Sequence, residues 1–288
     1  MQYIYAYETT ASAPASQFQN FLEKSILSVK EQYLYLLLSI REVANFVETD
    51  AKIKAGKHIK NEKDKNFNTK LLSNVIIQYL NNDKEFELEV KNAGVASLLD
   101  DDNIRQLYKK MTDAKEYNEY LTNGLEFNVE EDRAIVTFLL DNILLEDENF
   151  STNMDELFTN WMDDAEFVIE AVHEVIQKSK NQLKLHLEKG NLKDKFKELT
   201  QFGIDLFNET ISNKKEHYKI IEPKLKNWET DRLAIIDVIL IRMAVSEFLY
   251  FPSIPVKVTI NEYLDIAKEY RDRKSTRLNS SHLGISYA

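Results

Sequence analysis

The chain has 288 residues and a formal charge of −11, and 43% of its residues are hydrophobic, which is typical of a globular protein with a sizeable core. It contains no cysteine, so disulfides, zinc–thiolate sites and thiol catalysis are excluded. Because an acidic surface repels phosphate, net charge alone does not favour nucleic acid, and a basic protein is the better partner.

Membrane insertion and secretion are not indicated by the sequence. No apolar run approaches the roughly 18 residues needed to span a bilayer. The first residues also lack the charged and apolar regions of a signal peptide. We therefore expect a soluble, cytoplasmic protein that does not contact a membrane.

The first half of the chain carries apolar residues at helical spacing. They predict a long helix from near Ser16 to about Asp50. Residues 51–70 are rich in lysine and poor in large apolar side chains, which predicts an exposed loop or a frayed helix end. Shorter helices are expected at about 66–80, 102–111 and 113–121, with breaks at 81–83 and 100–102.

The second half of the chain continues the helical pattern. The predicted helices cover 129–145, 163–187, 194–212, 214–226, 231–251 and about 255–270. No alternating pattern of convincing strand length is present, so the predicted fold class is all-α. Residues 274–288 resemble translated adapter or vector sequence, and we expect 271–288 to be a foreign or disordered tail.

Catalytic and metal-binding patterns are missing from the sequence. The closest glycines, Gly190 and Gly203, are too far apart to form a phosphate-binding loop. His173-Glu174 begins like a zinc-protease motif, but residue 177 is glutamine, so ordinary surface or half-buried histidines are expected. We expect no catalytic residue, no metal and no cofactor.

Runs of carboxylates at 100–102 and 163–164 lie where helices are predicted to begin. Residues adjacent in a helix do not face each other, which argues against a shared proton or cation. Acidic side chains at a helix start are favoured by the helix dipole. We therefore interpret both runs as structural caps.

Residues 217–270 form a predicted helical hairpin. Thr230 or Asp231 can cap its first helix, and Pro252 and Pro255 can end that helix and set the turn. The first helix is apolar almost all round, which predicts a central, buried element. The second helix is expected to begin near Pro255.

Polar residues in this first helix fall into two groups. Arg242 and Ser246 lie near Asp231 on a helical wheel and form a narrow polar stripe. Asp237 lies elsewhere, among apolar neighbours, where a carboxylate costs free energy unless it is paired. It either meets an internal cation or emerges at a surface that a basic partner covers.

Several motifs in the hairpin resemble those of the NusB family. They are Asn-Trp at 227–228, Ile-Arg-Met-Ala-x-x-Glu at 241–247, Pro-x-Lys-Val-x-Ile-Asn-Glu at 255–262, and Leu-x-Ile-Ala-Lys-x-Tyr at 264–270. Residues 1–7 resemble the second half of the first helix of that family. Residues 51–125 exceed the compact members and resemble the insertion of longer ones.

The resemblance implies a NusB-like helical bundle in two subdomains with an extended helical N-terminal part. We divide the chain into that part at 1–189, with the insertion at about 51–125, a core at 190–270 and the tail at 271–288. Such a protein would be a non-enzymatic transcription antitermination factor in the RNA polymerase antitermination complex. It would pair with the small-subunit ribosomal protein NusE and bind boxA RNA of nascent ribosomal transcripts.

The resemblance also implies functional residues. Tyr5 and Asp237 match positions of the interface with the ribosomal protein, and an acidic Asp237 agrees with a basic partner. Lys257, Lys268 and Tyr270 are candidates for RNA contact, because lysines neutralise phosphate and aromatic rings stack on unpaired bases. Solvated lysines and a tyrosine at the edge of the core remain the alternative.

The family pattern also differs from this chain at its two ends. An arginine-rich segment is expected before Met1, and a last helix is expected about ten residues after Tyr270, where the tail stands instead. We expect this chain to bind RNA poorly. Two other classes stay open: a fragment of a ribosomal RNA cytosine methyltransferase that contains its NusB-like domain, and a generic helical scaffold that binds another protein.

Overall fold

A computed structural model describes residues 1–10, 12–56, 68–123, 128–178, 191–224 and 234–283, with side chains described except at 191–195, 269 and 271–283. Every regular element in these ranges is helical and none is a strand, which confirms the predicted all-α fold class. Within the same ranges, no helix is both long and apolar enough to cross a membrane.

Thirteen α-helices occur in the described ranges. They are α1 (Gln2–Thr9), α2 (Ala15–Ala55), α3 (Val75–Asn82), α4 (Lys84–Ala93), α5 (Asp101–Asp113), α6 (Lys115–Thr122), α7 (Val129–Phe138), α8 (Glu148–Leu157), α9 (Trp161–Lys178), α10 (Asn191–Ser212), α11 (Lys214–Ile221), α12 (Ile235–Tyr250) and α13 (Val256–Leu283). Single 3-10 turns cover Lys70–Ser73, Val95–Leu98 and Glu222–Lys224, and a π-helix covers Leu139–Leu144.

The chain divides into two compact units. The first contains Met1–Lys24 and Glu198–Ala288, and the second contains Ser25–Lys197. The first 24 residues are therefore grouped with the C-terminal helices, although they are distant in sequence. The division at residues 189 and 270 stays a prediction.

The core of the second unit surrounds the middle of α2. Leu34, Leu36, Leu37 and Leu38 are all at most 1% exposed. Successive residues of a helix point about 100° apart, so burial of near neighbours means that α2 is covered on every side. Burying each leucine contributes about 1.5–3 kcal/mol. The centre of α2 is therefore the main source of apolar burial in this unit.

Buried polar groups also connect helices of the second unit. Asn74 caps α3, and its side-chain amide donates to the backbone oxygen of Asp132 at 2.9 Å. One carboxylate oxygen of Asp132 accepts from the backbone N–H of Val75 at 2.8 Å, and the other accepts from the hydroxyl of Tyr120 at 2.7 Å. This cluster ties α3 and α6 to α7.

Both acidic runs lie at helix starts, and the first of them supplies a side-chain cap. The side chain of Asp100 accepts a hydrogen bond from the backbone N–H of Asp102 at 3.0 Å at the start of α5. Asp163 and Asp164 lie in the first turn of α9. Both runs therefore lie where the helix dipole favours a negative charge, as predicted.

Two helices were not predicted, α4 and α8. The carboxylate of Asp83 accepts from the backbone N–H groups of Glu85 and Phe86 at 2.7 and 3.0 Å. This cap starts α4 at Lys84, and Asp83 alone separates α4 from α3. Asp147 accepts from the N–H of Phe150 at 2.9 Å at the start of α8. An aspartate before each helix was the signal that could have identified both.

The hairpin at the end of the chain is present as α12 and α13. Pro252 and Pro255 lie in the turn between them, as predicted. The proposed caps at Thr230 and Asp231 fall outside the described residues, as do 57–67 of the lysine-rich segment and 179–190 after α9. α13 continues beyond Tyr270 to Leu283, into the segment assigned above to a tail. The foreign origin of that tail stays a prediction.

Candidate protein and RNA interface

The first helix of the chain packs against α12 near the C-terminus. Ile4 of α1 is 2% exposed and shares a small apolar core with Phe18, Phe207 and Ile239. The ring of Tyr7 contacts the rings of Phe18 and Phe207 edge-on, at centroid distances of 5.7 and 6.2 Å. This core connects α1, α2, α10 and α12 within the first unit.

Arg242 of α12 is completely buried and holds α1 through an ion pair. Its Nη1 donates to the carboxylate of Glu8, and its Nη2 donates to the backbone oxygen of Thr210 at 2.6 Å. Lys214 donates to the other carboxylate oxygen of Glu8 at 2.9 Å. Burial acts to raise the pKa of Glu8, but the hydrogen bonds and charges of Arg242 and Lys214 outweigh it and lower that pKa.

Ser246, one turn after Arg242, extends the buried polar stripe predicted for α12. Its hydroxyl lies 3.0 Å from the hydroxyl of Thr210 and 3.4 Å from Nε2 of His217. His217 is completely buried, so the expectation of a surface or half-buried histidine is wrong for this residue. Burial, and secondly the charge of Arg242, lower the pKa of His217, which favours a neutral ring with a packing role.

Glu247 connects the two helices of the hairpin. Its two carboxylate oxygens accept from the hydroxyl of Thr259 at 2.6 Å and the hydroxyl of Tyr263 at 3.1 Å. Burial, followed by the nearby charge of Glu247, raises the pKa of Tyr263. Arg242 and Glu247, the charged residues of the Ile-Arg-Met-Ala-x-x-Glu motif, therefore have structural roles in this chain.

The burial of α12 is incomplete, which corrects the prediction of an element buried on all sides. Ile239 and Leu240 are buried, but Ile235, Phe248 and Leu249 are 38–49% exposed. The main contacts of α12 are with α1, α11 and α13, which leave part of its circumference and its two ends open. The apolar residues around the whole circumference of α12 therefore did not indicate that the whole helix is buried.

The two predicted protein-interface residues lie on helices that contact each other. Tyr5 is 39% exposed on α1, and Asp237 is half-buried in the first turn of α12. α1 packs on α12, so residues separated by more than two hundred positions in sequence belong to one pair of helices. The structure thus places the two residues on neighbouring helices of the first unit.

The three predicted RNA-contact residues lie on α13 but do not share one face. Lys257 and Lys268 are exposed, about 20° apart around the helix and about 16 Å apart along it. Tyr270 lies about 220° from Lys257, on the side of α13 that carries Thr259 and Tyr263. The structure therefore brings the two lysines onto one face and places Tyr270, 37% exposed, at the edge of the contact with α12.

The exposed face of α13 also carries apolar side chains. Ile260 and Leu264 are 46% and 54% exposed, and they lie between the two lysines. Lys268 forms an ion pair with Asp265 at 2.7 Å. In the described part of the chain, no group of acidic residues and histidines could hold a metal ion. The exposed surface of α13 thus carries both charged and apolar side chains.

These features define a class: an all-helical protein whose C-terminal hairpin is held by buried polar side chains and keeps part of its surface exposed. Residues 166–279 match the NusB family. The match contains α12, the part of α13 up to residue 279, and all predicted site residues except Tyr5.

Curated relatives agree with the family match. A transcription antitermination protein NusB from Listeria monocytogenes is 45% identical over 67 residues, which are 23% of this chain and 52% of the relative. The protein of the same name from Salinibacter ruber is 43% identical over 74 residues, 26% of this chain and 46% of the relative. The chain thus spans about half the length of these relatives. No solved structure matches the chain.

Proposed function

We propose that the protein is a non-enzymatic transcription antitermination factor that pairs with the ribosomal protein NusE and binds boxA RNA in the cytoplasm. The observation that carries this proposal is the match of residues 166–279 to the NusB family, whose curated relatives bear the name transcription antitermination protein NusB. In this proposal the factor acts within the RNA polymerase antitermination complex.

Two features support a ribosomal protein as the partner. The chain is acidic, with a formal charge of −11, and ribosomal proteins that bind RNA are basic, so attraction between the two is expected. Asp237 and Tyr5 provide a carboxylate and an exposed aromatic ring on contacting helices. Tyrosine is among the residues that are enriched at protein interfaces and often dominate their binding energy.

Reversing the charge of Asp237 tests the protein interface. Asp237→Lys is expected to weaken NusE binding about 10-fold or more, because a lysine repels a basic partner. Asp237→Asn, which only removes the charge, should have a smaller effect. Glu198→Lys, an equal charge change at an exposed residue of α10, serves as the matched control.

Titration calorimetry with purified NusE gives the affinities, and circular dichroism confirms that each variant is folded. An unchanged affinity for Asp237→Lys would remove this residue from the interface. Equal weakening by Glu198→Lys would show that overall charge, and not this helix pair, attracts the partner.

The RNA contact is proposed for the face of α13 that carries Lys257 and Lys268. Lys257→Gln/Lys268→Gln is expected to weaken boxA binding and to reduce the slope of log affinity against log salt by about 1.4, roughly 0.7 for each phosphate of an unpaired strand that is no longer neutralised. The matched control is Lys84→Gln/Lys91→Gln in α4, where both lysines are exposed. Fluorescence anisotropy over a range of salt concentrations measures both quantities.

Tyr270 is tested separately because it lies on another side of α13. If a base stacks on its ring, Tyr270→Ala weakens binding by about 1–3 kcal/mol without changing the salt slope. A double lysine variant that binds boxA RNA with the original affinity and slope would refute the assignment of this face.

A further inference from the structure

The outward face of α9, in the second unit, carries side chains that the proposed function does not use. Val168, Val172 and Ile176 on the inner side of this helix are completely buried, so α9 is firmly packed. On its outer side Met162 is 77% exposed and Phe167 is 46% exposed. The apolar parts of these two side chains are therefore available to a binding partner.

Carboxylates lie between these two apolar residues. Asp163, Glu166 and Glu170 are exposed and fall within about 60° of one another around the helix. Met162 and Phe167 flank this row, about 140° apart, and the whole face extends about 12 Å along the helix. The face therefore presents a negative centre with an apolar residue on each side.

The sequence that contains this face is strongly acidic. From residue 134 to residue 177 the chain contains eleven aspartates and glutamates and not one lysine or arginine. Some of these carboxylates have partners inside the unit: Asp147 pairs with Lys110, Asp141 pairs with His173, and Asp164 accepts from Gln32. Burial, and then the neighbouring charge of Asp163, raise the pKa of Asp164.

Glu166 and Glu170 differ from these paired carboxylates because they point outward from α9, one helical turn apart. Like charges at this spacing repel each other and destabilise a helix. No ion pair with either residue is found in the described part of the chain. A cation that lies between the two carboxylates would relieve the repulsion.

We propose that this face of α9 binds a cationic, amphipathic segment of a partner protein. Lysines or arginines of that segment lie against Glu166 and Glu170, and its apolar residues cover Met162 and Phe167. Charge complementarity identifies the partner class, because nucleic acids and anionic membranes would be repelled by this surface. The site lies outside the helices proposed to meet NusE and RNA, so it is an additional interaction surface.

The test uses the full chain and a fluorescent synthetic helix of roughly 20 residues, with lysine and leucine at helical spacing, as the probe. Glu166→Gln/Glu170→Gln is expected to weaken binding of the probe about 10-fold or more. The control variant Glu48→Gln/Glu116→Gln makes the same change in net charge at exposed residues of α2 and α6 and should weaken binding less than about 2-fold.

An apolar variant separates docking from diffuse attraction between charges. Phe167→Ser leaves the net charge unchanged and should weaken binding about 3-fold to 10-fold. Hydrogen exchange should show that the probe protects the amides of α9, and that the exchange of Val168 and Val172 is the same in all free variants. The latter measurement establishes that each variant is folded.

Three results would overturn the proposal. The first is equal weakening by the two double glutamine variants, and the second is an unchanged affinity for Phe167→Ser. The third is a hydrogen-exchange result in which the probe protects amides outside α9, or in which a single-stranded RNA, and not the probe, protects the amides of α9. None of these results bears on the NusE and boxA experiments, so the two proposals can fail independently.

Discussion

Arg242→Met is expected to destabilise the first unit by about 3 kcal/mol, the lower end of the range for breaking a buried ion pair. The substitution removes the guanidinium that donates to Glu8 and to the backbone oxygen of Thr210. Glu8 keeps its ion pair with Lys214, which limits the destabilisation. Because α1 depends on this ion pair, α1 should loosen together with α12.

Hydrogen exchange in a denaturant series measures this effect helix by helix. Amides of α1 and α12 should exchange faster in Arg242→Met, and those in the centre of α2 should change little. Glu8→Gln/Arg242→Met should be less destabilised than the single variant, since the side chain that has lost its Arg242 partner is then uncharged. Arg105→Met, at an exposed residue of α5, is the control. A destabilisation below about 1 kcal/mol would contradict the assigned role of Arg242.

Asp132→Ala is expected to cost the second unit about 3 kcal/mol. Without the carboxylate, the backbone N–H of Val75 and the hydroxyl of Tyr120 have no acceptor in a buried environment, at about 1–3 kcal/mol each. The start of α3 and the packing of α6 on α7 should loosen together. Chemical denaturation, monitored by the hydrogen exchange of amides in α3 and α7, gives the change in the free energy of unfolding.

Asp155→Ala provides the matched control for this variant, because Asp155 is an exposed carboxylate of α8 in the same unit. It should change stability by less than about 0.5 kcal/mol. If Asp132→Ala and Asp155→Ala had the same small effect, the buried cluster around Asn74 would contribute little to the second unit. Faster exchange in α12 of Asp132→Ala would show that the two units do not loosen separately.

The hairpin shows how the roles of motif residues depend on packing. The sequence places Arg242 and Ser246 on one polar stripe, which the structure confirms. It does not reveal that Glu8, 234 positions away, is the partner of Arg242. A helical wheel describes one helix at a time, whereas the partner is chosen by the helix that packs against it.

The candidate binding residues show the same division. The sequence did not decide how exposed these side chains are, since a lysine or tyrosine near a helix end can be solvated or functional. The structure places Lys257 and Lys268 on one exposed face and Tyr270 on another. Their roles in binding RNA, like those of Tyr5 and Asp237 in binding NusE, remain predictions for the experiments above.

The sequence by itself determined the all-helical class, the turn at Pro252 and Pro255, the acidic helix starts and the resemblance to the NusB family. These features are local, because helical periodicity, caps and motifs depend on residues a few positions apart. Only the tertiary structure decided that α1 joins the C-terminal helices, that His217 is buried and that α12 is only partly covered. Those properties depend on which helices pack together, and such contacts form between residues that no local pattern relates.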